Sequence, residues 1–343
     1  MIWFDLDNSP HVPLFRPILE ELKKRRVDYI VTARDFAQTK ELLELWGIPH
    51  SMVGKHGGKN KAAKVLNLLG RSFQLRKFIH NIRPSLAVSH GSRTQLVAAR
   101  SLGIESVVML DYEFTESYIF NTLATHLLMP ALIPDDRLVK AGFNLKKVQR
   151  YPGFKEEIYL ADFQPQPGFR KLLGIDDDVI LATIRPPSTV GNYHDPLSET
   201  LFGGALKYLS SHPNVHCLVV NRTSNELGII PPDLQNQSNV SLLDRAVDGL
   251  QLIWHSDIVI SGGGTMNRES ALLGVSTYSI FTGERPYLDE HLAREGRLHF
   301  VDSVDQINKI LVVKRAISRQ YIPTNTHLVP IVTDLLLGLS SKN

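Results

Sequence analysis

A glycine-rich turn carries the plainest chemistry in this sequence. Ser261-Gly262-Gly263-Gly264-Thr265 follows the apolar run Asp257–Ile260 and opens a helix-like stretch that reaches Gly274. Glycines let the backbone approach a ligand closely. The N–H groups at a helix start attract phosphate through hydrogen bonds and the helix dipole. Glu269 lies about one turn into that helix, within reach of ribose hydroxyls. The turn is neither a Walker loop nor Gly-x-Gly-x-x-Gly. A tight turn without a ligand is the plain alternative. Two arginines stand where strands should end: Arg185 after Val179–Ile184 and Arg222 after His216–Val220. A guanidinium at a strand end can fork onto a diphosphate, and both also read as surface arginines. His194 lies in the loop that Arg185 opens.

The second group of residues is titratable. His11 sits in Asn8-Ser9-Pro10-His11-Val12, a turn between a strand and a helix. An imidazole there can take a proton from a hydroxyl, or it can simply cap the helix. Asp111 and Glu113 follow the run Ser106–Leu110 and are further candidates for a base, or solvated turn acids. His90-Gly91-Ser92 follows Leu86–Ser89 in the same way. Asp5-x-Asp7-x-Ser9 matches the opening of haloacid-dehalogenase phosphatases, whose first Asp is a nucleophile and whose pair of acids holds Mg²⁺. Their later Gly-Asp-x-x-x-Asp motif is missing, so this is the remotest reading.

The elements that must position these residues alternate. Short apolar runs at 2–6, 28–32, 86–89 and 106–110 read as strands. Amphipathic stretches at 13–26, 37–46 and 94–102 read as helices. The rhythm resumes with strands at 179–184, 216–220, 257–260 and 276–281, and ends with an apolar helix at 327–339. Alternation of this kind predicts parallel sheets covered by helices, twice over. Pro152, Gly153, Pro165 and Pro167 break the rhythm and mark a boundary. The expected domains are 1–155, 156–326 and a terminal helix at 327–343. In doubly wound sheets ligands bind beyond the carboxyl ends of the strands, where all the residues above are expected.

Composition narrows the classes. One cysteine, Cys217, allows neither an internal disulfide nor a Cys-ligated zinc site. No apolar run approaches the ~20 residues of a spanning helix, and the first residues carry acids where an export signal carries bases. The expected location is the cytoplasm. Residues 1–150 hold 22 Lys/Arg against 14 Asp/Glu, and 151–343 hold 16 against 21. From Lys55 to Arg83 there are eight bases and no acid, with Val65, Leu66, Leu69, Phe73, Phe78, Ile79 and Ile82 interleaved at helical spacing. A solvated helix face is the plain reading. The sharper one is peripheral contact of 59–83 with an anionic membrane at its inner face. No nucleic-acid module is evident, so nucleic acid is not an expected partner.

The segment Gly262–Gly274, with Glu269 five positions before the last glycine, resembles the donor-nucleotide loop of GT-B enzymes. These include UDP-N-acetylglucosamine 2-epimerases, the N-acetylglucosaminyltransferase of lipid II synthesis and related sugar-nucleotide hydrolases. The whole chain is similar to an uncharacterised archaeal and bacterial family of that superfamily. The marks are Asp5-x-Asp7, His11-Val12, Thr32-Ala33-Arg34-Asp35, Gly54–Gly58, Ser89-His90-Gly91-Ser92 and Tyr151–Glu156. The resemblance implies an α/β GT-B fold. Two Rossmann-like doubly wound domains would face each other across a cleft, with the last helix packing back on the first. It implies a nucleotide-sugar donor, read as UDP-linked, held by Arg185, Arg222, Gly262, Gly263, Gly264, Thr265, Glu269 and Glu284. Glu284 keeps the acid of a sugar-binding stretch in which Arg285 replaces the usual Gln. His11, Asp111 and Glu113 would serve catalysis. Asn8, Ser9, His90, Gly91, Ser92 and His194 would line the cleft. GT-B enzymes require no metal, so neither metal nor cofactor is expected. The reaction read first is glycosyl transfer to an acceptor, lipid-linked or of a cell-surface polysaccharide. A 2-epimerase or sugar-nucleotide hydrolase is the alternative. It ranks second because Ser92 stands where the epimerases' His-Gly-Asp has its acid.

Overall fold

The computed structural model of the chain describes residues 1–36, 38–55, 61–187, 196–220, 230–243, 245, 247–316 and 318–340, with 55 and 61–65 described by their backbone. His194, Arg222 and Lys59 lie outside the described residues. The chain divides into unit 1, Met1–Ala161 with Pro323–Asn343, and unit 2, Asp162–Ile322.

Unit 1 is built on seven strands: β1 (Ile2–Leu6), β2 (Tyr29–Asp35), β3 (Ser51–Lys55), β4 (Leu86–Ser89), β5 (Glu105–Met109), β6 (His126–Pro130) and β7 (Val148–Tyr151). Its helices are α1 (His11–Lys24), α2 (Thr39–Leu45), α3 (Lys61–Ile79), α4 (Arg93–Leu102), α5 (Ser117–Leu123), α6 (Asp135–Lys140) and α7 (Glu156–Leu160). All neighbouring strands are parallel, in the order β3-β2-β1-β4-β5-β6-β7. Every residue of β1 is buried, as a central strand covered on both faces requires. α1 turns Val12, Leu14, Phe15, Ile18, Leu19 and Leu22 inward at helical spacing. Gly54 has a function that sequence does not announce. A Cβ there would sit 2.9 Å from Arg71 Cγ, so the glycine leaves the passage through which Arg71 of α3 enters the interior.

Unit 2 carries β8 (Ile180–Arg185), β9 (Val215–Val220), β10 (Val240–Leu243), β11 (Ile258–Ser261), β12 (Ser276–Ser279) and β13 (His299–Phe300). Its helices are α8 (Phe169–Leu172), α9 (Pro196–Ser210), α10 (Gly249–His255), α11 (Thr265–Leu272) and α12 (Tyr287–Arg294). The sheet is again parallel, in the order β10-β9-β8-β11-β12-β13. The chain then returns to unit 1 with α13 (Leu328–Ser340), which packs on α1, α7 and β7 and is tied by Arg25 to Asp334 and by Ser85 to Ser340.

Both sheets reverse their winding between the first and fourth strands of the unit, β1/β4 and β8/β11. Ligands of doubly wound sheets bind beyond the strand ends at that switch point. The division between units falls at 161/162 and 322/323, against the expected 155/156 and 326/327. Strands β3, β6, β7, β10 and β13 were not anticipated. β7, Val-Gln-Arg-Tyr, and β13, two residues long, are edge strands with little apolar content.

Candidate functional site

In unit 1 the switch point gathers acids and bases. His11 opens α1 and is buried. Its Nδ1 lies 3.1 Å from Asp7 Oδ1, close enough to pair though out of line for a straight hydrogen bond. With Nδ1–H turned to the carboxylate, Nε2 keeps the lone pair. Burial works to raise the Asp7 carboxyl. His11 and the guanidiniums of Arg34 and Arg71 outweigh it and hold Asp7 below its usual value, so it is ionised at neutral pH. Asn8 and Ser9 build the turn. Asn8 Oδ1 accepts the Ser9 N–H at 2.9 Å, and Ser9 Oγ accepts the Gln38 N–H at 2.9 Å.

The end of β4 faces this pair. The rings of His90 and His11 are 5.1 Å apart. His90 Nε2 lies 3.1 Å from Asp111 Oδ1, and Asp111 Oδ2 is 2.7 Å from Lys155 Nζ. Lys155 in turn stands 3.9 Å from Glu156. Burial, then the Lys155 charge, push the His90 imidazole below its usual value against the pull of Asp111. His90 is therefore neutral near pH 7. Gly91 follows with φ +79°, the left-handed turn that swings the chain into α4. Glu113 is fully buried. Asp111 is committed to His90 and Lys155, which suits it to orient His90 more than to act as the base itself. Lys155 and Asp7 belong to the constellation, although sequence offered Asp7 only in the phosphatase-like Asp5-x-Asp7 motif and as a family mark, not as the partner of His11. The only sequence signal for Lys155 was its place in the Tyr151–Glu156 mark.

Two expectations are corrected. Ser92 does not line an open surface. It is buried, caps α4 by accepting the Gln95 N–H at 3.3 Å, and donates to Asp5 Oδ2 at 2.6 Å. Arg71, one of the eight bases of 55–83, is not on the outer face. It is buried and clasps Asp5 with two hydrogen bonds, 2.8 Å and 2.7 Å. Thr32 Oγ1 adds a third at 2.7 Å. Asp5 is thus a saturated internal anchor with no lone pair offered to a substrate, which removes the nucleophile the phosphatase reading needs.

In unit 2 the switch point holds Arg185 and the glycine turn. Arg185 ends β8 in register with Ser261, the last residue of β11. Packing explains two of the glycines. A Cβ at Gly262 would come within 2.9 Å of Pro187 Cα, and one at Gly263 (φ +99°) within 3.2 Å of Phe281. Gly264 is different. It is exposed, has φ +84° and ψ −155°, and a Cβ there would meet nothing within 4 Å among the described residues. Its freedom serves the backbone at the start of α11, with Thr265 as first helical residue. Ser261 Oγ donates to Asn267 Oδ1 at 2.7 Å and accepts the Gly263 N–H at 3.3 Å. Asn267 Nδ2 is buried with no hydrogen-bond partner among the described residues. Glu269 is half-buried on α11, and Arg268 anchors that helix to Asp289 of α12 at 3.2 Å. Glu284 is exposed before α12. Arg285 turns away onto the Phe300 ring, 4.0 Å from its centroid, and pairs with Asp302. Among the described residues no three His, Cys, Asp or Glu side chains converge as metal ligands would.

Comparison with known proteins agrees with this architecture. The fold is that of GT-B enzymes, two Rossmann-like domains. A family profile described as Protein of unknown function (DUF354) matches residues 1–338, and the chain belongs to that family. It is 26% identical over 318 residues to the uncharacterized protein MJ0665 of Methanocaldococcus jannaschii, 89% of each chain. It is similar in structure to the UDP-GlcNAc 2-epimerase of Neisseria meningitidis bound to UDP-GlcNAc, with TM-score 0.77 and 13% identity over 98% of this chain and 99% of that one. Anabaena Alr3699/HepE, in complex with UDP and glucose, follows with TM-score 0.59 and 14% identity over 99% and 97%.

Proposed function

We propose that the chain is a glycosyltransferase that moves a sugar from a nucleotide diphosphate, read as UDP, to a hydroxyl acceptor. The observation that carries the reading is the Asp7–His11 pair beside His90 at the unit 1 switch point. A carboxylate behind an imidazole orients it and stabilises the imidazolium that forms, so His11 Nε2 is suited to take the acceptor proton. His90, neutral and held by Asp111, can orient the same hydroxyl. In unit 2 the Gly264–Thr265 start of α11 and Arg185 suit the diphosphate. Their dipole and charge favour it more as it departs. The acceptor oxygen forms the new bond to the anomeric carbon, the bond to the diphosphate breaks, and the proton passes to His11.

A 2-epimerase or sugar-nucleotide hydrolase is the second reading. It is favoured by the higher TM-score with the Neisseria epimerase, and by the carboxylates Asp111, Glu113 and Glu156. Against it stands the buried Ser92. Incubation with UDP-N-acetylglucosamine, followed by proton NMR with and without added acceptor hydroxyls, tests both. Transfer that requires an acceptor supports the first reading. An acceptor-independent epimer or free sugar replaces it with the second.

A further inference from the structure

We propose that the outward face of α3 docks unit 1 on an anionic lipid bilayer. The helix buries Arg71, Ser72, Leu75 and Ile79 on its inner side. On the opposite side Leu66, Leu69 and Phe73 are 70%, 55% and 64% exposed. At about 100° per residue these three fall within an arc of roughly 60°, and exposed Arg76, Lys77 and His80 extend it to roughly 100°. Single exposed apolar residues are ordinary; a stripe of three on one helix face is an interaction surface.

Charge names the occupant. Between Glu44 and Glu105 the sequence has ten Lys/Arg and no acid. Arg71 is spent on Asp5 and Arg93 on Glu116, while Arg76, Lys77, Arg83 and Arg100 are exposed. An apolar stripe with bases at its flank, on a helix lying flat on a domain, matches an anionic headgroup layer. The apolar side chains enter the acyl boundary and the bases meet lipid phosphate. α3 follows β3, so its first turns lie toward the carboxyl edge of the sheet, where His11 and His90 stand. Docking would bring headgroups to that edge. The docking itself holds whether or not the chain transfers a sugar.

Sedimentation of the full chain with phosphatidylcholine vesicles, with and without one-third phosphatidylglycerol, tests it. The wild type should sediment with the anionic vesicles only, and less at high salt. Each base near such a surface is worth about fivefold in partition, so Arg76→Glu with Lys77→Glu should weaken it at least about 25-fold. Leu66→Ser with Leu69→Ser and Phe73→Ser should weaken it about tenfold or more at unchanged charge. Both variants alter outward side chains and should keep the wild-type circular dichroism. Equal sedimentation with neutral and anionic vesicles, or wild-type partition by either folded variant, overturns the proposal. So does wild-type self-association in light scattering, without lipid binding, that Phe73→Ser abolishes; the occupant is then a second copy.

Discussion

Arg71 fixes which side of α3 faces inward, and its removal should be costly. Arg71 and Asp5 are both buried. Asp5 accepts two bonds from Arg71, one from Thr32 and one from Ser92. Burial alone would lower the Arg71 pKa; the charge and hydrogen bonds of Asp5, with the charge of Asp7, outweigh it and raise it. Arg71→Met keeps the length of the stem and leaves Asp5 with two hydroxyl donors and no counter-charge. Breaking a buried pair from one side costs about 3–5 kcal/mol, against about 0–1 kcal/mol for an exposed pair. In a unit of this size each kcal/mol moves the melting temperature by about 2–4 °C, so calorimetry should show a fall of about 6–20 °C. Adding Asp5→Asn removes the stranded charge and should restore part of the loss. A single variant that melts within about 2 °C of wild type would refute the buried clasp. A double variant no more stable than the single would show that the loss is not electrostatic.

The other expectations concern the two switch points. His11→Gln should lower kcat about 10²–10⁴-fold with little change in nucleotide affinity, measured by transfer assay and titration calorimetry. UDP at about 100 times its dissociation constant should stabilise the chain by about 2.7 kcal/mol, and Glu269→Ala should shrink the resulting melting shift; no shift with any nucleoside diphosphate would remove the donor assignment. His90 has a folded-state pKa below its unfolded 6.5. Between those values the unfolded chain binds more protons, so the stability contribution is full above pH 6.5 and is lost as pH falls toward the folded value. Urea titrations from pH 7 downward should show a steeper loss in wild type than in His90→Gln.

What sequence reveals here follows from the physics of each position. Strands β1, β4, β8 and β11 are central and mostly apolar, with Asp5 and Thr183 the polar residues inside β1 and β8, so their runs stand out and bring the switch-point residues with them. β7 and β13 lie at sheet edges and carry no such run. His90 and Asp111 are legible because they lie just past strand ends, and His11 because it opens the helix after the short turn that follows β1. Their pairing is not, since Asp7, Lys155 and His90 meet only through the stacking of β1, β4 and the start of α7. Arg71 shows the opposite failure. In sequence it is one base among eight on a helix. Only the packing of α3 over Gly54 turns it inward while leaving its neighbour Phe73 outside.

Position 92 bears on the choice between reactions. An epimerase-like site would place a carboxylate after His90-Gly91. In this chain the side chain at 92 points into the interior and its hydroxyl donates to Asp5 at 2.6 Å. An Asp there would exchange a donor for a second acceptor against an already ionised, buried carboxylate. Two like charges at that separation cannot both be kept without losing the Arg71 clasp or taking up a proton. The serine is therefore part of the anchor that seats α3 and α4 on the sheet, and the acid cannot be restored by one substitution. The unit 1 switch point pairs each of two imidazoles with a carboxylate, His11 with Asp7 and His90 with Asp111, while Glu156 stands by Lys155 and Glu113 is buried. That arrangement suits removal of one proton from a hydroxyl better than exchange of a carbon-bound proton between two acids.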